Sequence, residues 1–101
     1  MKLSIDTSES DQTIIGLDDR QWRFKTKKQK SQQLLVLIDQ TLKKQKKDLK
    51  DVTAIKVNLG PGSFTGLRVG IAVANALGWA LKVPINGQKM GQLVEPRYER
   101  S

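Results

Sequence analysis

Apolar and polar residues alternate from the second residue of the chain. Leu3, Ile5 and Thr7 fall on one side of an extended segment and Lys2, Ser4 and Asp6 on the other, and Thr13-Ile14-Ile15-Gly16-Leu17 follows after a polar gap. Alternation of this kind marks strands with one buried face. Asp18-Asp19 supplies a tight turn, after which Gln21-Trp22-Arg23-Phe24-Lys25 alternates again with both aromatics on one side. The three segments predict an antiparallel meander.

The period then changes. Beyond the polar link Thr26-Lys27-Lys28-Gln29-Lys30, the residues Leu34, Leu35, Leu37, Ile38 and Leu42 recur at helical spacing. They predict a helix with Ser31 as N-cap, running to about Lys47. Val36 and Leu37 widen its apolar arc beyond what contact with one sheet needs. Lys43, Lys44, Lys46 and Lys47 crowd its last turn, where they complement the helix dipole. Val52 to Leu59 reads as a strand, Gly60-Pro61-Gly62 as a turn, Phe64 or Thr65 to Lys82 as a second helix, and Val83-Pro84-Ile85-Asn86 as a short last strand. Helices alternating with strands after a meander imply right-handed crossovers and added parallel strands. The expected fold class is α/β: a mixed five-stranded sheet of order 3-2-1-4-5, strand 2 antiparallel to the rest, with two main helices.

Small residues dominate the second helix. Gly66, Gly70, Ala74 and Gly78 form an i, i+4 row, with Ala72, Ala76 and Ala80 beside it. Each glycine costs a helix about 1 kcal/mol relative to alanine, so another backbone must come close, either the sheet or a second helix. The apolar stretch from Val69 to Leu81 is broken by Asn75 and is read as too short to span a bilayer, which takes about 20 residues. Met1-Lys2-Leu3-Ser4-Ile5-Asp6 lacks the apolar core of a signal peptide. The expectation is a cytoplasmic protein with no membrane partner.

Composition narrows the chemistry. A chain of 101 residues, 38% hydrophobic and 28% charged, suits one soluble domain. Such a domain buries roughly two thirds of the surface its unfolded chain exposes, so oligomerisation would help it. It contains no Cys and no His, which excludes disulfides, thiolate nucleophiles, imidazole bases and most transition-metal sites. The formal charge of +8 is local: residues 20–50 hold eleven basic and two acidic residues, against seven and eight elsewhere. Such a segment attracts polyanions or an acidic partner, or serves simply as a solvated helix face.

The most specific string is Gly60-Pro61-Gly62-Ser63-Phe64-Thr65-Gly66-Leu67-Arg68-Val69-Gly70. Pro61-Gly62 supplies a turn, and Ser63 or Thr65 caps a helix whose first amides could take an anion. It lacks the Gly-Lys-Ser/Thr ending of a P-loop, and on its own reads as a stiff strand-to-helix turn. Together with Asp6-Thr7-Ser8, Ser-Gln-Gln-Leu-Leu-Val-Leu-Ile-Asp at residues 31–39 and Val83-Pro84-Ile85-Asn86-Gly87, it resembles the bacterial TsaB (YeaZ) family over residues 2–87.

The resemblance implies a ribonuclease H-like domain of the actin-like ATPase superfamily over residues 1–87. It implies a non-catalytic accessory role, with no cofactor, in making N6-threonylcarbamoyladenosine at position 37 of tRNA. The implied partners are the catalytic, metal-binding TsaD and the ATPase TsaE, with tRNA engaged indirectly and a homodimer in isolation. Family members associate through two helices, which here points to Leu34, Leu37, Ile38 and Leu42 on the first and Leu67, Gly70, Ile71, Ala74 and Leu77 on the second. Lys27, Lys28, Lys30, Lys43, Lys44, Lys46 and Lys47 become the candidate tRNA contacts.

Two departures stand out. Family members continue into a second domain, whereas only residues 88–101 follow here, and Val94-Glu95-Pro96-Arg97-Tyr98-Glu99-Arg100 resembles the end of full-length members. The expectation is a minimal form lacking the second domain, with 88–101 as its tail. Lys30 stands where many members have His. Other functions fit less well. A nucleotide phosphotransferase of this superfamily needs a glycine hairpin after Asp6, where Thr7-Ser8-Glu9-Ser10 has none. A ribonuclease H-type nuclease could draw on Asp6 and Asp39, but the fourth strand ends in Asn58. A stand-alone nucleic-acid-binding module would rest on the basic segment, with Trp22 and Phe24 as its nearby aromatics.

Overall fold

The computed structural model describes residues 1–27, 30–88 and 92–96. The three alternating segments become β1 (Lys2–Asp6), β2 (Gln12–Leu17) and β3 (Arg20–Lys25). β2 pairs antiparallel with both neighbours, setting Ile5 opposite Ile15, and Ile15 opposite Trp22. Register and alternation together gather Leu3, Ile5, Thr7, Thr13, Ile15 and Leu17 onto one buried face. Trp22 and Phe24 extend that face, half-buried, to the sheet edge. β4 (Ala54–Val57) joins β1 in parallel, with Leu3 opposite Ile55 and Ile5 opposite Val57.

Among the described residues the sheet has four strands in the order β3-β2-β1-β4, not the five expected. Residues 83–86 do lie beside β4, but only as a single parallel bridge between Ile55 and Ile85. The Ile55 amide donates to the Pro84 carbonyl at 3.0 Å and the Asn86 amide to the Ile55 carbonyl at 2.8 Å. Pro84 brings no N–H to a ladder, and Asn86 turns away at φ +53°. The Asn86 side chain substitutes for the missing strand: its Oδ1 accepts from the Val57 amide at 2.8 Å and its Nδ2 donates to the Val57 carbonyl at 3.1 Å. Asn86→Ala removes both bonds and puts alanine in a left-handed conformation, so it is expected to cost about 2–3 kcal/mol in urea denaturation. An unchanged midpoint would show the side-chain rung to be idle.

The helices α1 (Ser31–Lys44) and α2 (Phe64–Leu81) pack side by side on the buried face. Ser31 is not the N-cap. Lys30 takes that place without a side-chain cap, and Ser31 is the first helical residue. α1 also ends three residues early: Lys46 adopts φ +57°, while the Lys46 and Lys47 amides donate to the Lys43 and Leu42 carbonyls at 3.0 and 2.8 Å. That pair of bonds closes the helix as a Schellman motif. Lys43 and Lys44 therefore end the helix, and Lys46 and Lys47 form its closing turn. Leu34, Ile38, Thr41 and Leu42 are buried beneath it.

By length and composition alone, α2 is apolar enough to cross a membrane, with mean hydropathy 1.3 over 18 residues. The run read from Val69 to Leu81 becomes 18 residues because the helix starts at Phe64. In the fold α2 is a core helix, with Gly66, Leu67, Gly70, Ile71, Val73, Ala74, Leu77 and Gly78 buried. Asn75, the polar break in that run, holds the segment that follows the last bridge. Its Nδ2 donates to the Val94 carbonyl at 3.1 Å and its Oδ1 accepts from the Val94 amide at 3.0 Å. The Val94 side chain is thereby seated in the core. Arg97, Tyr98, Glu99 and Arg100 of the tail motif lie outside the described residues.

Candidate functional site

The glycine-rich string is a clasp between the end of β1 and the start of α2. Asp6 organises the β1 side: its Oδ1 accepts from the Ser8 amide at 2.9 Å and the Ser8 hydroxyl at 2.6 Å. The Ser8 carbonyl accepts from the Ser63 amide at 2.7 Å, and a Cβ on Gly62 would come within 2.6 Å of that same carbonyl. Gly60 turns at φ +124°, its amide donating to Asn58 Oδ1 at 2.9 Å. Ser63 is the N-cap, accepting from the Gly66 amide at 3.4 Å. One turn further on, the buried Thr7 hydroxyl donates to the Gly66 carbonyl at 2.6 Å, and a Cβ on Gly70 would overlap that hydroxyl. Gly78 is likewise packed, against Ile85. The row Gly66, Gly70, Ala74, Gly78 thus serves the chain's own sheet.

This placement sorts the residues expected at a partner interface. Leu34, Ile38, Leu42, Leu67, Gly70, Ile71, Ala74 and Leu77 are all buried inside the chain, and Leu37 is half-buried. A second row runs along the opposite side of α2. Phe64, Arg68, Ala72, Ala76 and Ala80 follow one another at four-residue spacing and are all exposed. They stand two residues, or about 200°, from the glycine row. Arg68 lies over the Phe64 ring at 5.5 Å, and Trp79 beside them is 75% exposed. Ser31 at the start of α1 shares a groove of about 260 Å³ with Phe64, Arg68 and Ala72, so both helices contribute to one surface. Leu35 is a further exposed aliphatic side chain of α1, whereas Val36 faces the groove beside β3. The arithmetic of the two rows was available in the residue numbers; which row met the sheet was decided by Thr7 and Ile85.

The basic residues divide between two places. Lys43 and Lys44 end α1, with Lys43 paired to Asp39 at 3.0 Å, and Lys46 and Lys47 follow in the closing turn. Lys27 lines a groove of about 430 Å³ with Lys25, Gln32, Val36 and Leu37, and Lys30 precedes the helix. Lys28 lies outside the described residues. On the other side of the sheet, Lys2, Ser4, Gly16, Ala54 and Lys56 line an open trough of about 910 Å³ that also takes in Asp6. Asp6 is engaged by Ser8, and among the described residues no three acidic side chains come together to hold a metal. The turn after β1 meets α2 through the Ser8 carbonyl and the Ser63 amide.

Residues 25–88 match the family model described as TsaD: tRNA N6-adenosine threonylcarbamoyltransferase. The chain is 39% identical over 61 residues to the tRNA threonylcarbamoyladenosine biosynthesis protein TsaB of Buchnera aphidicola, covering 60% of this chain and 29% of that protein. It is 35% identical over 60 residues to TsaB of Bacillus subtilis, covering 48% and 26%. Among solved structures, YeaZ from Pseudomonas aeruginosa superposes with a TM-score of 0.69 at 28% identity, over 87% of this chain and 43% of that one. An uncharacterized protein with similarity to peptidase YeaZ, also from Pseudomonas aeruginosa, gives 0.71 at 30% identity, over 83% and 40%. The chain thus spans under a third of these curated relatives and about two fifths of the solved ones.

Proposed function

Because this chain belongs to the TsaB (YeaZ) family, within the broader threonylcarbamoyltransferase family, we propose that it is a non-catalytic accessory subunit in forming N6-threonylcarbamoyladenosine on tRNA. It docks the outer face of α1 and α2 on a TsaD-like catalytic subunit. The observation that carries this reading is the exposed row Phe64, Arg68, Ala72, Ala76, Ala80, with Trp79 and Leu35 exposed on the same two helices. Alanines at four-residue spacing let a partner helix approach closely, and burying a large apolar side chain contributes roughly 1.5–3 kcal/mol. Phe64 and Trp79 are the anchors expected to dominate, since aromatic residues concentrate interface energy.

Ser8 and Thr7 hold the end of β1 to the start of α2 through the Ser63 amide and the Gly66 carbonyl, and Asp6 orders that turn through Ser8, a structural use that supports a role without chemistry of its own. A TsaE-like ATPase then joins the assembled pair, and the site of action is the cytoplasm. In isolation the same face pairs two copies of the chain about a twofold axis, so homodimer and heterocomplex compete. Co-purification tests the docking: the chain and a TsaD-like subunit, mixed at micromolar concentration, are expected to elute together on gel filtration. Separate elution at 50 µM of each would contradict it.

A further inference from the structure

We propose that the seam between β3 and α1 is a track for a single-stranded stretch of RNA. No acidic residue occurs between Asp19 and Asp39, a span that includes the whole of β3 and the first half of α1. β3 is an edge strand, and its two ends lie against opposite ends of the helix. At one end Arg20 Nη1 donates to Gln45 Oε1 at 2.8 Å while its guanidinium sits 5.2 Å from the Trp22 ring. At the other, Lys25 and Lys27 share a groove with Gln32 and Val36. Between them Trp22 and Phe24 line a narrower groove with Gln40 and Lys44.

These grooves lie end to end along the helix, which at 1.5 Å per residue gives a track of about 20 Å. Cations stand at both ends and aromatic and amide side chains in the middle. That is the arrangement by which proteins hold single strands: lysines and arginines follow the phosphates while bases rest on aromatic faces. Charges on an edge strand also deter strand-to-strand aggregation, but that role does not require the basic residues of α1 to continue the same line. The choice of RNA over an acidic peptide rests on the proposed function; the seam is separate from the outer row of α2.

The test is fluorescence anisotropy of a labelled 20-nucleotide RNA with the chain alone, so that its outcome is independent of any TsaD-like subunit. Binding is expected to weaken with salt at a log–log slope of about −3, as for four neutralised phosphates. The triple variant Lys25→Glu, Lys27→Glu, Lys44→Glu is expected to lose at least tenfold in affinity. Lys2→Glu with Lys56→Glu, on the open sheet face, is expected to lose less than threefold. Equal losses in both variants, absence of binding at 50 mM salt, or displacement of the RNA by polyglutamate at matched charge would each overturn the proposal. A co-eluting TsaD complex with no RNA binding would sink the track and leave the docking standing.

Discussion

Gly70→Ala is expected to lower stability by about 3 kcal/mol, although alanine is the better helix former by about 1 kcal/mol. The new methyl would overlap the Thr7 hydroxyl, which is buried and donates to the Gly66 carbonyl at 2.6 Å. Relief requires Thr7 to give up that bond, at about 1–3 kcal/mol, or the helix to lift from β1, an overpacking cost of about 1–3 kcal/mol. The pair should therefore couple. Thr7→Ala clears the space, so the double variant is expected to be more stable than the summed single effects by at least about 1 kcal/mol, within the range of coupling between contacting residues. Urea denaturation of the four proteins measures this. Strict additivity would mean that the clasp does not join these two residues.

Ala72→Arg is expected to weaken association with a TsaD-like subunit by about a hundredfold while leaving the unfolding midpoint unchanged. Residue 72 is exposed, so the longer side chain has room in the free chain and substitutions there fall within about 0.5 kcal/mol. In the complex it would hold two helices apart where an alanine row lets them close. Trp79→Ala, which removes a large apolar side chain that is 75% exposed, is expected to weaken binding by at least tenfold, in the range of an interface anchor. Titration calorimetry reads both effects. Full affinity in both variants, with the wild-type complex intact, would move the docking surface elsewhere.

Much of this architecture was legible in the residues. Alternation through Leu3, Ile5, Thr13, Ile15, Trp22 and Phe24 fixed the buried face of the meander, because a period of two leaves no other choice of side. Leu34, Ile38 and Leu42 marked the inward row of α1 for the same reason at a helical period. The fifth strand was misjudged because Val83 and Ile85 look like strand residues, whereas Pro84 and the left-handed Asn86 limit the pairing to one bridge. An asparagine acting as a ladder rung leaves no periodic trace. The N-cap was misplaced by one residue, since serine fits either side of a helix start. Of the interface residues expected from the family resemblance, all but the half-buried Leu37 are buried within the chain, and apolar character alone does not separate a helix's sheet side from its partner side. The offset of two between the glycine and alanine rows does separate them once Thr7 is known to sit under Gly70. Asn75 read as an interruption; its purpose, to hold the Val94 backbone, depends on a segment 19 residues away.

The docking face is tested most directly by placing a photoreactive benzophenone amino acid at Ala72 in one preparation and at Lys56 in another, each irradiated with a TsaD-like subunit. Lys56 lies on the open side of the sheet, away from both helices. The expected result is a covalent heterodimer from position 72 and none from position 56. An adduct from position 56 with none from position 72 would contradict the assignment of the outer α1 and α2 surface.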